Sequence, residues 1–368
     1  MSPNVLNSVA EDLDSPLSSA AGTETAPAAE LQPAQKVTGP DVPVPPGPDS
    51  EVAMVDTAVV DTAVVDSASS AGRPVSAAAR ERAEIVDYFS KDNLRWNNID
   101  WIVASWMVAM HVGALVAPFF FTWEAVITAI VLHWATCSIG ICLTFHRCLS
   151  HRSLKLKAPA KFVGVLCGTI AGEGTPLMWA ATHRVHHGHA DLPGDPHSPL
   201  EGPWWSHLWW MMVKTSDRKK QLLYQYYAPD LCRDPMLQFF DRTFALWLWG
   251  SGILLLVIGG LPMLLWGMCV RMVLAYHSTW FVNSATHLWG YRNYETTDAS
   301  RNLWWVALFA YGEGWHNNHH AHPRLARAGH RWWEFDMTWW AISLLRAVGL
   351  ATDVDDRIPK PKALPTAD

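Results

Sequence analysis

Apolar residues gather in this chain into long uninterrupted runs, separated by shorter basic segments rich in histidine. Residues 101–121 and 123–145 are apolar almost throughout, with Glu124 as their one charge. About 20 helical residues cross the ~30 Å hydrocarbon core of a bilayer, so each run is long enough to span. Only Thr122 separates them, which predicts a helical hairpin. A second pair, about 243–260 and 262–282, meets at Gly259-Gly260-Leu261-Pro262 and predicts a second hairpin. Arg271 interrupts the last run. A charge at that depth is costly, so it is expected to face the protein interior. Residues 162–179 are moderately apolar but carry Glu173, Pro176 and four glycines. They predict an interfacial segment that does not cross.

The flanking charges orient these runs. Arg80, Arg82, Lys91 and Arg95 precede the first, and Arg147, Arg152, Lys155, Lys157 and Lys161 follow the second. Lys214, Arg218, Lys219 and Lys220 precede the third, and Arg292 and Arg301 follow the fourth. Neither hairpin turn is basic. Basic loops stay on the cytoplasmic side, which puts both termini there. The expected fold is an all-α membrane protein with four transmembrane helices in two hairpins and a cytoplasmic helical cap.

Composition sets off the two ends. The first 80 residues hold 11 acidic and 3 basic residues and are rich in Ala, Pro, Ser and Val. Such a segment buries too little apolar surface to offset its ordering entropy, so 1–80 is expected to be a disordered tail. It has neither the basic start and apolar run of a secretory signal nor the charge of a transit peptide. The remaining chain is nearly neutral, so the net charge of −6 belongs to the tail and points to no nucleic acid. Residues 81–350 form the expected membrane domain, and 351–368 a flexible C-terminal tail. The six cysteines form no CxxC pair and are read as small apolar residues.

The candidate chemistry is histidine. Three clusters stand just outside the apolar runs: His146 and His151; His183, His186 and His187; His316, His319 and His320. In H-x-x-H-H on a helix, positions i, i+3 and i+4 share a face, so each triplet converges. His146 and His151 would diverge by about 140° on an ideal helix, which must therefore end or distort there. Eight imidazoles are too many for one tetrahedral zinc and suggest two metal ions. His287, just past the fourth run, lies at the depth of the first cluster. A ligating imidazole usually hands its second N–H to a carboxylate. The candidates for that role are Glu173, Asp191, Asp195 and Glu313.

Five pieces together carry a specific resemblance. They are Thr-Phe-His146-Arg-Cys-Leu-Ser-His151-Arg, Thr-His183-Arg-Val-His-His187, Asp195-Pro-His-Ser-Pro199, Asn283-Ser-Ala-Thr-His287-Leu-Trp-Gly290 and Gly312-Glu-Gly-Trp-His316-Asn-Asn-His-His320. In order and spacing the chain resembles integral-membrane fatty acyl desaturases of the delta-9 type, similar to stearoyl-CoA desaturases and to bacterial and plant acyl-lipid desaturases. The resemblance covers roughly residues 90–345. It implies two iron ions (Fe2+) held by His146, His151, His183, His186, His187, His287, His316, His319 and His320, with Asn283 binding through a water. It implies one iron on His146, His151, His183, His187 and His319, and the other on His186, His287, His316 and His320.

The activity so implied is O2-dependent insertion of a cis double bond, at carbon 9 by family default, into a lipid-, CoA- or carrier-protein-linked acyl chain. No His-Pro-Gly-Gly haem signature or dinucleotide-binding glycine fingerprint is present, so a separate ferredoxin or cytochrome b5 is expected as electron donor. The expected place is the inner membrane of a bacterium, or the endoplasmic reticulum in a eukaryote, with the active site cytoplasmic. Two alternatives stand beside this reading: a membrane di-iron hydroxylase of acyl chains or lipids, and more remotely a metal-binding membrane protein without catalysis.

Overall fold

The computed structural model describes residues 76–358. The expected acidic tail falls outside the described residues up to position 75, as does the chain beyond 358. Helix α1 (Ala77–Tyr88) begins four residues inside that expected tail, where Ser76 accepts from the Ala79 N–H and caps it.

Helix α2 (Trp101–Val116) starts at Asp100, whose carboxylate accepts the N–H groups of Ile102 and Val103. A short 3-10 turn follows, and α3 (Trp123–Trp134) begins at the Thr122 cap. From Ala135 to Ser150 this helix continues in the wider π form, so it runs five residues beyond the expected end of the second span. Among the described residues three helical stretches are long and apolar enough to cross a membrane: Trp101–Phe120, Trp123–Ser150 and Phe244–Leu288.

The third stretch, 45 residues, is not one rod. It comprises α9 (Phe244–Leu264), a π turn (Leu265–Val270) and α10 (Arg271–Leu288). Gly259 and Gly260 leave helical geometry, Gly260 with φ +66°. Beyond them the chain doubles back. A Cβ on Gly252 would lie 2.5 Å from the Met268 sulfur, and one on Gly267 would lie 3.0 Å from Leu255. In a straight helix residues 252 and 268 stand roughly 24 Å apart.

The expected single interfacial segment at 162–179 is instead two helices. Helix α4 (Ala158–Ala171) ends at Gly172 in the left-handed conformation, φ +81°, and α5 (Pro176–His189) begins at the Thr175 cap. Fourteen residues extend about 21 Å, too short to cross. Helix α4 lies against the π stretch through glycines: a Cβ on Gly140 would strike the Gly168 backbone, and one on Gly168 the Phe145 ring. Small residues at such a seam let two backbones approach closely.

Arg271 is 2% exposed and faces inward, as expected. It donates to the carbonyls of Gly267 (2.8 Å) and Ile170 (3.0 Å) and to Thr136 Oγ1 (3.2 Å). It thereby joins α10, the π stretch and the open carbonyl end of α4.

The remaining helices are short: α6 (Pro203–His207), α7 (Asp217–Tyr227), α8 (Pro235–Arg242), α11 (Trp304–Phe309), α12 (His316–Ala321) and α13 (Met337–Ala347). Phe145, Leu149, Val165, Val185, Leu222, Leu237 and Phe240 form one buried cluster joining the π stretch to α4, α5, α7 and α8. The chain beyond 350 is not wholly a free tail. Strand β2 (Ala351–Thr352) pairs antiparallel with β1 (Lys155–Leu156), and Asp355 bonds Ser153 and Ala326 through its backbone.

Candidate metal centre

The π form settles the position of the first two histidines. The His151 N–H donates to the His146 carbonyl at 3.1 Å, an i→i+5 bond. Five residues then make roughly one turn, so the two side chains share a face. Their ring centroids are 4.8 Å apart. Arg184 holds the end of this stretch by donating to the Leu149 and Ser150 carbonyls while pairing with Asp230.

Helix α5 supplies His183, His186 and His187 from one face. Helix α12 supplies His316, His319 and His320 from only six residues, too few to be stable alone. Its two asparagines anchor it. Asn317 accepts the N–H groups of Asn293 and Tyr294, at 2.7 and 2.9 Å. Asn318 donates to the Ala328 carbonyl and Glu334, and accepts from Asn293 and Asn302. Both are fully buried. The middle residues of H-N-N-H-H thus fix the helix from behind while its histidines face inward. His287 stands in the last turn of α10.

The rings converge on two points. One ligand nitrogen from each of His146, His151, His183, His187 and His319 lies within 4.8 Å of the others, and the same holds for His186, His287, His316 and His320. These groups have the same members as the division implied by the resemblance. Close Nε2 pairs include His151–His183 (2.7 Å), His187–His319 (2.9 Å) and His146–His319 (3.1 Å). In the second group they are His287–His316 (3.1 Å) and His186–His320 (3.2 Å).

Carboxylates decide which ring nitrogens carry protons. His186 donates through Nδ1 to Asp195 (2.9 Å), His287 to Asp191 (2.9 Å) and His320 to Asp298 (2.8 Å). Glu313 lies 2.9 Å from His146 Nδ1 and also pairs with Arg147, which is held in turn by Asp336. With Nδ1–H committed, a neutral ring presents a bare lone pair at Nε2. His186 and His320 therefore face each other with two acceptors at 3.2 Å. One proton can serve one such pair, but not nine nitrogens gathered at two points. A metal cation at each point satisfies the whole set, and neutral imidazole suits iron, copper and zinc. The donor set fits two metal ions.

Burial dominates the electrostatics. It pushes His151, His183, His187, His316 and His319 well below the ordinary imidazole range, with neighbouring imidazoles adding to it. His320 falls to about 4 for the same first reason, although Asp298 opposes the fall. At His186 burial is outweighed by Asp195, and the net direction is upward. Asp191, Asp195, Asp298 and Glu313 are lowered: burial raises each, but the partner imidazole, or Arg147 at Glu313, outweighs it. His151, His183, His187, His316, His319 and His320 are thus biased to be neutral, the form that binds metal.

Three of the four carboxylates singled out in the sequence sit on histidines. Glu173 does not. It accepts from Trp179 Nε1 (3.3 Å) and Thr279 Oγ1 (3.0 Å), and burial pushes it up to about 7. It acts one step away, through Trp179, whose ring stacks on His183 at 5.1 Å. Asp298 was missed, since it lies in a loop at no recognisable spacing from a histidine. Asn283 is half-buried on α10, one turn before His287. Asp195 also stands near His197, 3.9 Å away, whose ring lies against His186.

Residues 121–347 match the fatty acid desaturase family. The chain is 45% identical over 261 residues to the sn-2 palmitoyl-lipid 9-desaturase of Nostoc sp. (strain 36), covering 71% of this chain and 92% of that protein. It is 44% identical to the sn-1 stearoyl-lipid 9-desaturase of Anabaena variabilis, covering 70% of this chain and 94% of that one. A plant relative, the chloroplastic palmitoyl-monogalactosyldiacylglycerol delta-7 desaturase of Arabidopsis thaliana, is 44% identical over 70% of each chain.

Proposed function

The chain belongs to the fatty acid desaturase family and is an O2-dependent acyl desaturase, and from that premise we propose that its nine histidines hold two irons. The first would rest on His146, His151, His183, His187 and His319, and the second on His186, His287, His316 and His320, with Asn283 contributing through a water. The observation that carries this is the set of bare Nε2 lone pairs turned toward one another, while the opposite nitrogens donate to Asp191, Asp195 and Asp298.

Bound iron would supply the oxidising power, drawn from O2, that removes two hydrogens from an unactivated methylene pair. The protein's own part is to fix and isolate. Asp191, Asp195 and Asp298 hold three rings in the Nδ1–H form, and Glu313 stands at a fourth. Arg147, 2% exposed between Glu313 and Asp336, keeps the first cluster in place through Glu313. Burial of the rings keeps bulk water from the reacting centre.

The substrate is an acyl chain on a membrane lipid in this reading, with the double bond at carbon 9. The cyanobacterial relatives named above act on lipid-linked chains at that position. The electron donor is a separate ferredoxin or cytochrome b5. The reversal at Gly259–Gly260 supports two crossings within residues 244–288, hence four in all. The basic residues flanking them support cytoplasmic termini and a cytoplasmic site, in the inner membrane of a bacterium or the endoplasmic reticulum of a eukaryote.

Expression of the full chain in a desaturase-deficient host, followed by double-bond mapping of its lipids, tests the reading. A cis double bond at carbon 9 of lipid-linked chains is expected. A hydroxylated chain would assign the protein to the di-iron hydroxylases instead.

A further inference from the structure

Three histidines outside the metal centre form a continuous chain. His111 on α2 meets His277 on α10 through their Nε2 atoms at 3.2 Å. His277 Nδ1 meets Nε2 of His207 on α6 at 3.1 Å. His207 Nδ1 meets Ser284 Oγ at 3.0 Å. Backbone carbonyls close both ends: His111 Nδ1 donates to Met107 O at 2.7 Å, and Ser284 Oγ donates to Trp280 O at 2.7 Å.

The proton count of this chain does not close. Five hydrogen bonds link the two carbonyls, and each needs one proton. A neutral imidazole brings one N–H and serine one O–H, which gives four. Because a carbonyl can only accept, no choice of tautomers removes the shortfall. The chain therefore holds a fifth proton shared among its rings, or one of its links is broken. With both ends donating outward, the broken link falls at one of the three contacts between them, His111–His277, His277–His207 or His207–Ser284, according to the tautomers of His277 and His207.

The position of the chain gives the proton somewhere to go. On α10, His277, Ser284 and His287 lie at i, i+7 and i+10, along one face. His207 bridges the first two, so the chain climbs the helix and ends one turn from His287 and beside Asn283. Among the described residues no carboxylate, lysine or arginine forms an ion pair with any of the three rings. The aromatic side chains packed on His207 and His277 are Trp280 and Phe281 from α10 and Trp204 from α6, and none of these titrates. Burial pushes the His207 imidazole downward, so a proton held there is readily given up.

We propose that His111, His277 and His207 form a proton store that takes up a fifth proton and releases it at the Ser284 end toward the metal centre. This rests on the desaturase reading. Removing two hydrogens from –CH2–CH2– supplies two of the four electrons and two of the four protons that convert O2 to two waters. The donor brings the other two electrons, and two protons must come from water through the protein. The store supplies one of them.

The test has two arms on the full-length, metal-loaded chain in lipid vesicles. In the first, 15N-histidine NMR followed from pH 8 down to pH 4 compares wild type with His277→Gln and His111→Gln. The expected result is one imidazolium resonance in wild type that both variants lose; neutral rings throughout the wild-type spectrum would overturn the store. In the second, desaturation is followed in H2O and D2O for His277→Gln and His207→Gln. Turnover is expected to fall on the order of 100-fold or more, with a larger solvent isotope effect, a shifted pH profile and unchanged iron content. Unchanged turnover, isotope effect and pH profile would overturn delivery to the centre. Should the protein make no double bond at all, the first arm still decides whether the store exists, so the two failures remain distinct.

Discussion

Asp298 accepts from Nδ1 of His320 at 2.8 Å through one carboxylate oxygen, and from the Ser300 N–H at 2.9 Å through the other. The loop between α10 and α11 thereby orients a ring that α12 presents from the opposite side. Asp298→Ala frees that ring to rotate and to change tautomer. Metal affinity is expected to fall roughly 10- to 100-fold, measured as iron retained against a graded chelator. Retention equal to wild type would show that the loop does not support the centre.

Glu313 is buried and Glu173 half-buried; both are flanked by glycines, and they are alike only in sequence. Glu313 bridges His146 and Arg147, whereas Glu173 touches no histidine. Glu313→Gln leaves one amide oxygen to serve two donors and a buried guanidinium with one carboxylate fewer. It is expected to lower stability by roughly 3 kcal/mol and to release iron. Glu173→Gln is expected to keep its iron. Thermal melting and iron analysis of the two variants check this, and equal iron loss in both would contradict the assignment.

Asp230 joins Arg184 of α5 to Arg152 after the π stretch. Burial raises its carboxyl, but these two arginines outweigh that and hold it at about 2. Because the folded value lies below the ordinary one, the stabilisation is full above about pH 4 and is lost as pH falls toward 2. Asp230→Asn is expected to lower the melting temperature at pH 6 and to flatten its decline between pH 4 and 2. An unchanged decline would remove Asp230 from the account.

Gly140 meets the Gly168 backbone where the π stretch lies on α4. Gly140→Val forces these helices apart and displaces His146 six residues on. Overpacking of this kind costs about 1–3 kcal/mol, so a lower melting temperature with partial iron loss is expected. A melting temperature at or above wild type would show that the seam is looser than described.

How far this site is legible in the sequence depends on what places each residue. The triplets on α5 and α12 are legible because helical periodicity alone puts i, i+3 and i+4 on one face. His146 and His151 are legible as a conflict: five residues do not fit an α-helix, and the π turn that resolves it comes from backbone geometry that composition does not announce. Asp191 and Asp195 stand close enough to their triplet to be suspected. Asp298 is not, because a loop folded back onto α12 brings it to His320 from 22 positions away. Glu173 was misread because adjacency to a histidine cluster along the chain is not adjacency in space. Gly172 turns the backbone there and directs the carboxylate to Thr279. His277 stands alone in an apolar run, and only the packing of α2, α6 and α10 joins it to His111 and His207.

Two groups of imidazoles are proposed each to hold an iron. Iron, zinc and copper counted per chain, in full-length protein purified anaerobically with its membrane lipids, test it most directly, with His320→Ala and His187→Ala alongside. About two irons per chain are expected in wild type and a loss of iron in each variant, with both variants still inserted in the membrane. A wild-type protein carrying a single metal, or two zincs, or a His320→Ala protein that keeps both irons, would contradict it.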